Sequence, residues 1–180
     1  HIDKLVANIV EELLPFLEEQ AQNIQELTTI GKALSAEQNS AIVLEMILSQ
    51  ARRFTAAEAG TLYLKSKDEK SLVFHVVHNE KLNTRMGGTS GNPVTIPDVP
   101  LFANNGMINK ENVSAYVANT GEVVNIPDVY EADGFNFEGT KKFDASLNYR
   151  SKSMLVMPMR DHEDEITGVL QLINAQNRFT

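Results

Sequence analysis

Counting from Val6 by alternating steps of four and three gives Val6, Val10, Leu13, Leu17, Gln20, Ile24, Leu27, Gly31 and Leu34, apolar at seven of nine positions. That is the spacing of a heptad seam, and the positions between are rich in Glu and Gln. A helix covering its own domain and a seam between two copies of the chain both fit. The run of more than four heptads favours the seam. Pro15 interrupts it, because an interior proline loses a hydrogen bond and clashes with the preceding turn. A kink or a break is expected there, with Pro15 opening the second piece.

After residue 35 the pattern changes to α+β. Ser40 can cap a helix running to about Phe54, with Ile42, Leu44, Met46, Ile47, Leu48 and Ala51 on a broad apolar face. "AGTLYLKS" and "KSLVFHVVHN" are rich in β-formers around the charged turn "KDE", which predicts a hairpin. A loop from about Glu80 to Lys110 follows. Its apolar residues Val94, Ile96, Val99, Leu101 and Phe102, set between Gly and Pro, predict a loop packed down over the fold.

Asn112 then caps the short helix "VSAYVANT", and Gly121 ends it by accepting a left-handed backbone. Glu122 to Ile126 reads as a short strand that Pro127 closes, since proline cannot donate to a sheet ladder. Asp128, Tyr130 and Phe135 then fall on a connection where side chains can meet something small. "FEGTKKFDASLNYRS" predicts a polar connection with one helical turn, and "SKSMLVMPM", "RDHEDE" and "ITGVLQLINA" predict a closing hairpin. This order suits an antiparallel sheet with helices on one face and cross-connections on the other.

Charge and composition narrow the partners. The chain has 180 residues, 16 basic and 24 acidic, for a net charge of −8. A broad nucleic-acid footprint, which wants a basic surface, is therefore not expected. No run approaches the eighteen or so apolar residues of a membrane span, and no signal-peptide pattern opens the chain, so a soluble, cytoplasmic protein without membrane contact is expected. Cysteine is absent, which removes disulfides, thiolate nucleophiles and thiolate metal sites. A chain that starts at His1 and stops just after a strand-like run is expected to be a piece of a longer protein.

The runs "VSAYVANTGEVVNIPDVY", "FDASLNYRSKSMLVMPM" and "GVLQLIN" carry a resemblance to the GAF domain, the small-molecule-sensing module of cyclic-nucleotide phosphodiesterases, adenylate cyclases and many bacterial signalling proteins. The resemblance spans roughly residues 22–176. The loop "GGTSGNPVTIPDVPL" and "GTKKFD" look most like GAF domains that precede HD-GYP phosphohydrolase domains in bacterial cyclic-di-GMP phosphodiesterases. It implies a PAS-related central antiparallel sheet of five to six strands with helices on one face. Residues 1–35 would be signalling and dimerisation helices, residues 36–180 the sensory domain, and a fused output domain would complete the protein.

The resemblance also implies a ligand between the sheet and the connection after the short helix. Thr61, Val77 and His78 would line it from the first two strands, and Val113 and Ser114 from the short helix, whose free N–H groups favour an anion such as a cyclic phosphate. Asn136, Asp144, Leu147 and Ser151 would come from the lid and Gln171 from the last strand. His78 stands where cyclic-nucleotide-binding relatives have a carboxylate, Leu147 where they have a hydroxyl, and Gln171 where they have a glutamate. Of the family's Asn-Lys signature, Asn174 is present and Ala175 replaces the lysine. The expected effector is a cyclic nucleotide or a different small molecule.

Several residues have plainer explanations. His75 and His78 lie three apart on a strand and point to opposite faces, so they do not jointly hold a metal. His162 suits a solvated hairpin tip. Lys141, Lys142, Arg150 and Lys152 suit either an anion or a charged edge, and Asp144 either a ligand or a cap on the following turn. Met154, Met157 and Met159 suit core packing, and Gly87 and Gly88 belong to no nucleotide-triphosphate motif. Three function classes remain: a ligand-binding regulatory domain feeding an output domain, a homodimeric relay whose pocket is filled with side chains, and an enzyme. The sulfoxide reduction of some GAF proteins needs cysteines. No Ser-His-Asp or two-carboxylate constellation is legible either, so catalysis is expected of the output domain and not of this chain.

Overall fold

Glu, Leu and Gln are strong helix formers, and they carry the first element through its proline. The computed structural model describes residues 2–176, with side-chain surroundings from Leu13 onward. Helix α1 (Ile2–Ala36) is continuous, with Pro15 inside it. The expected break is absent and Pro15 opens no second helix: it forfeits one intrahelical bond while good helix formers flank it on both sides. Leu13, Leu17, Ile24 and Leu27 are solvent-exposed, Leu17 at 58% and Leu27 at 57%. The seam positions Val6 and Val10 lie outside the residues whose side chains are described.

Helix α2 (Ser40–Thr55) is capped by Asn39, one residue before the expected Ser40. The Asn39 side chain accepts from the Ala41 N–H at 3.0 Å, and its carbonyl accepts from Val43 at 3.0 Å. The chain divides into two compact units, His1–Val43 and Leu44–Thr180.

The second unit is built on two hairpins joined through their inner strands. Strands β1 (Ala57–Lys65) and β2 (Ser71–Asn79) form the first, and β6 (Met154–Arg160) and β7 (Ile166–Ala175) the second. Between them come β3 (Thr84–Gly87), β4 (Val99–Pro100), α3 (Val113–Thr120), β5 (Val124–Ile126) and α4 (Glu138–Leu147). The antiparallel sheet runs β3-β2-β1-β7-β6-β5, and β4 adds to the far end of β2, giving seven strands. The α+β class and central antiparallel sheet are as expected. The two extra strands lie in the segment read as a loop, and α4 is ten residues long where one turn was expected.

Each face of the sheet has its own apolar layer. Leu62, Val76, Leu170 and Leu172 pack with Leu44, Ile47, Leu48 and Ala51 of α2. Gly60 lets this helix close down, because a Cβ there would sit 2.7 Å from Leu48 Cδ1. On the other face Tyr63, Leu72, Met154, Val156 and Val169 pack with Val113 and Val117 of α3 and with Val129 and Phe137 of the connection. Helix α3 thus belongs to the cross-connection layer. Each fully buried aliphatic side chain in these layers contributes about 1.5–3 kcal/mol.

One irregularity sets the faces. The register pairs Leu62 with Val76 and Tyr63 with Phe74, so His75 is an extra residue, a β-bulge. Its carbonyl accepts from the Gly88 N–H at 3.0 Å. Gly87 is required beside it: φ is +69°, and a Cβ would lie 1.9 Å from that same carbonyl oxygen. Glu45 of α2 fastens Thr89, two residues on, its carboxylate accepting from the Thr89 N–H at 2.7 Å and from the Thr89 hydroxyl.

Helix α3 has the ends its sequence predicts. Asn112 sits in an extended conformation with its side chain accepting from the Ala115 N–H at 3.1 Å, and Gly121, at φ 73°, donates to the Val117 carbonyl. Asn112→Ala removes that cap and is expected to cost about 1 kcal/mol, lowering Tm by about 2–4 °C. A thermal melt unchanged by the substitution would show that the cap contributes nothing here.

Candidate functional site

Thr61 pairs across the sheet with Val77 on one side and Gln171 on the other. Alternation along β1 puts Tyr63 on the same face two residues later. The Tyr63 hydroxyl donates to Gln171 Oε1 at 2.6 Å, and the Gln171 amide lies 3.2 Å from Met154 Sδ. Ser114, buried in the first turn of α3, and Thr61 flank the Tyr63 hydroxyl and act against the effect of its burial. Burial pushes the Tyr63 phenol up to about 12, so it is a neutral donor at any physiological pH. Thr61, Tyr63, Ser114 and Gln171 therefore form a neutral hydrogen-bonding cluster under the cross-connection. The Tyr63 and Phe74 rings pack at 4.6 Å beside it, and buried Val113 borders it from α3.

The cross-connection is a clasped lid. Asp144 of α4 is 0% exposed. One of its oxygens accepts from the Ser151 hydroxyl at 2.9 Å, and the other from the Ser151 N–H at 2.7 Å and the Tyr130 hydroxyl at 3.0 Å. The Tyr130 ring has the Arg150 guanidinium 4.2 Å and the Lys141 ammonium 5.3 Å from its centroid. Arg150 in turn grips Asp128 at 2.9 and 3.2 Å. The Tyr130 N–H, followed by Arg150, holds the Asp128 carboxyl below the usual carboxylate range. Asn174 closes the far end, its amide lying 2.9 Å from Glu58 Oε2, 3.1 Å from the Tyr149 hydroxyl and 2.8 Å from the Arg150 carbonyl, while its Oδ1 accepts from Lys152.

Of the ten residues expected at the site, Thr61, Val77, Val113, Ser114 and Gln171 gather on the lid face of the sheet. Asp144 and Ser151 lie in the lid, bonded to one another. Asn136 is exposed at the lid's outer edge, where its side chain accepts from the Glu138 N–H at 3.0 Å and borders a shallow cleft of about 430 Å³ with Glu111, Phe135 and Lys141. Leu147 is 45% exposed on α4 and lines no part of the cluster. His78 lies on the opposite face, under α2, because it follows Val77 in a strand and alternation sends it the other way. Tyr63 was missed from the sequence, although its place two residues from Thr61 signals it.

The sheet thus carries neutral hydrogen-bonding side chains on the face that the cross-connection covers, and one buried carboxylate latches that cover. The chain belongs to the GAF domain family, whose model matches residues 41–180, and is a regulatory domain of that small-molecule-binding class. A stretch of 65 residues, 36% of the chain, is 42% identical to the dual 3',5'-cyclic-AMP and -GMP phosphodiesterase 11 of Drosophila melanogaster. A stretch of 67 residues, 37% of the chain, is 42% identical to the dual 3',5'-cyclic-AMP and -GMP phosphodiesterase 11A of Takifugu rubripes. These matches span only 4% and 7% of those two proteins. The GAF domain of an Acinetobacter phosphoenolpyruvate-protein phosphotransferase shares the fold, with a TM-score of 0.59 and 15% identity over 87% of this chain and 79% of that one. Among the described residues no helix is long and apolar enough to cross a membrane.

Proposed function

We propose that this chain is the sensory domain of a bacterial, cytoplasmic signal-transduction protein. A small effector binds between the sheet and the lid, and its presence is passed through N-terminal helices, paired across a homodimer, to an output domain of HD-GYP cyclic-di-GMP phosphodiesterase type. The observation that carries the reading is the buried Thr61–Tyr63–Ser114–Gln171 cluster. Neutral donors and acceptors facing a lid are what a ligand's polar edge exchanges with. The HD-GYP assignment rests on the "GGTSGNPVTIPDVPL" and "GTKKFD" motifs. The likeness to phosphodiesterases named for both cyclic nucleotides puts cyclic AMP and cyclic GMP among the effectors to try.

Thermal unfolding against cyclic AMP, cyclic GMP, cyclic-di-GMP and small metabolites tests this. A ligand held at about a hundred times its Kd adds about 2.7 kcal/mol to the native state, a rise of several degrees for a domain of this size. Ser114→Ala or Gln171→Ala is expected to weaken that ligand by about 1–2 kcal/mol, roughly five- to thirtyfold. Binding undiminished in both variants would move the site elsewhere. The second reading, a dimeric relay that takes no ligand, is favoured by one observation: the Tyr63 hydroxyl and the Gln171 side chain already bond one another beside packed aromatic rings. A panel without any shift would support it.

A further inference from the structure

His78 takes no part in the site described above, yet it is the least satisfied buried group in the described residues. It is 1% exposed, and neither ring nitrogen has a hydrogen-bond partner. Its nearest carboxylate oxygen, Glu45 Oε1, lies 3.5 Å from Nε2, beyond ordinary bonding distance. The ring borders a cavity of about 80 Å³ that it shares with Arg52, Asn79, Glu80, Asn83, Thr84 and Arg85. A buried imidazole without a partner is costly unless something in the cavity meets it.

The cavity's remaining walls select the occupant. The buried Arg52 guanidinium is held in place by the Ala57 and Glu58 carbonyls, at 3.3 and 3.0 Å, and by Glu80 at 2.9 Å. Glu80 itself is a mostly exposed side chain. Arg85, the cross-strand partner of His78, has no carboxylate within ion-pair distance among the described residues. Asn79 and Thr84 spend a side-chain atom each on Leu82, closing the turn that carries them. Two guanidinium groups and an imidazole thus line one small space, with the Glu80 carboxylate in its wall and that of Glu45 behind the imidazole. Guanidinium forks favour planar oxyanions. The space holds more than one water-sized group, which suits an anion of a few heavy atoms.

We infer that the Arg52–His78–Arg85 cavity, on the sheet face opposite the lid, is a second binding site that takes a small planar monoanion of the carboxylate or nitrate kind. It needs neither the lid nor the Thr61–Gln171 cluster. It joins α2 to the β2–β3 turn, so an anion there tightens the attachment of α2 to the sheet edge.

The test uses the whole chain. Thermal unfolding is followed while sodium formate, acetate or nitrate replaces sodium chloride at constant ionic strength, with parallel NMR of the histidine rings. At least one oxyanion is expected to raise Tm saturably by several degrees and to shift the His78 ring signals, leaving His75 and His162 in place. Arg85→Gln, at an exposed position that leaves the core untouched, is expected to abolish both effects. No saturable rise over chloride, an equal rise in Arg85→Gln, or signals that move at His75 or His162 instead of His78 would each overturn the assignment.

Discussion

Asp144→Ala is expected to destabilise the domain by about 4 kcal/mol, since it removes a charged acceptor shared by three donors and leaves the buried Ser151 N–H without a partner. Hydrogen bonds to charged groups contribute about 1.5–3 kcal/mol each, but the three share one carboxylate and do not add in full. A loss of that size lowers Tm by roughly 10 °C in a domain of this length. Asp144→Asn keeps one oxygen as an acceptor and is expected to lose less. Urea unfolding followed by circular dichroism reads both variants, and hydrogen exchange at Ser151 should accelerate well beyond the change elsewhere. A loss below about 1 kcal/mol in Asp144→Ala would mean that the lid is held mainly by its apolar residues, Val129 and Phe137. Lost effector binding in Asp144→Ala reports on the lid and not on a direct contact, so Ser114 and Gln171 are the better probes of the cluster.

Leu17→Glu combined with Leu27→Glu is expected to convert a dimer into monomers. Both leucines are exposed on α1, on one line with Leu13 and Ile24. Burying a leucine fully contributes about 1.5–3 kcal/mol, and the double change removes four such burials from a two-fold seam. The sum, about 6–12 kcal/mol, corresponds to a weakening of at least ten-thousandfold. Sedimentation velocity across a concentration series reads this directly. A wild-type chain that stays monomeric at high concentration removes the seam, and a double variant that still sediments as a dimer moves the pairing to another surface.

The hairpins and the ends of α3 were legible because their causes are local. Alternating β-formers around "KDE" and "RDHEDE", and Asn112 and Gly121 on either side of an eight-residue helix, need no tertiary information. The four-residue β3 and two-residue β4 had too little length for any period to show. Helix α4 was underestimated because "EGTKKFDASL" contains Gly139 and only two large apolar residues, Phe143 and Leu147, both of which face solvent. The placement of the candidate residues was half legible. Thr61, Ser114 and Gln171 lie on the lid side of the sheet, whereas Val77 and His78 cannot share a face, a point that strand alternation alone decides. The role of Asp144 stood open between ligand and cap because its partners, Ser151 and Tyr130, are seven and fourteen residues away.

The bulge at His75 bears on which length changes β2 can absorb. Residues 72 and 74 face the lid while 76 and 78 face α2, so the strand counts as regular on either side only with one position skipped. Deleting His75 would leave every other side chain of β2 on its present face, whereas deleting any residue from Val76 to His78 would send part of the strand to the wrong layer. The spared deletion still removes the carbonyl to which Gly88 is tied. The sheet can therefore lose that residue without changing its two sides, but the glycine loop cannot lose it without losing its tether.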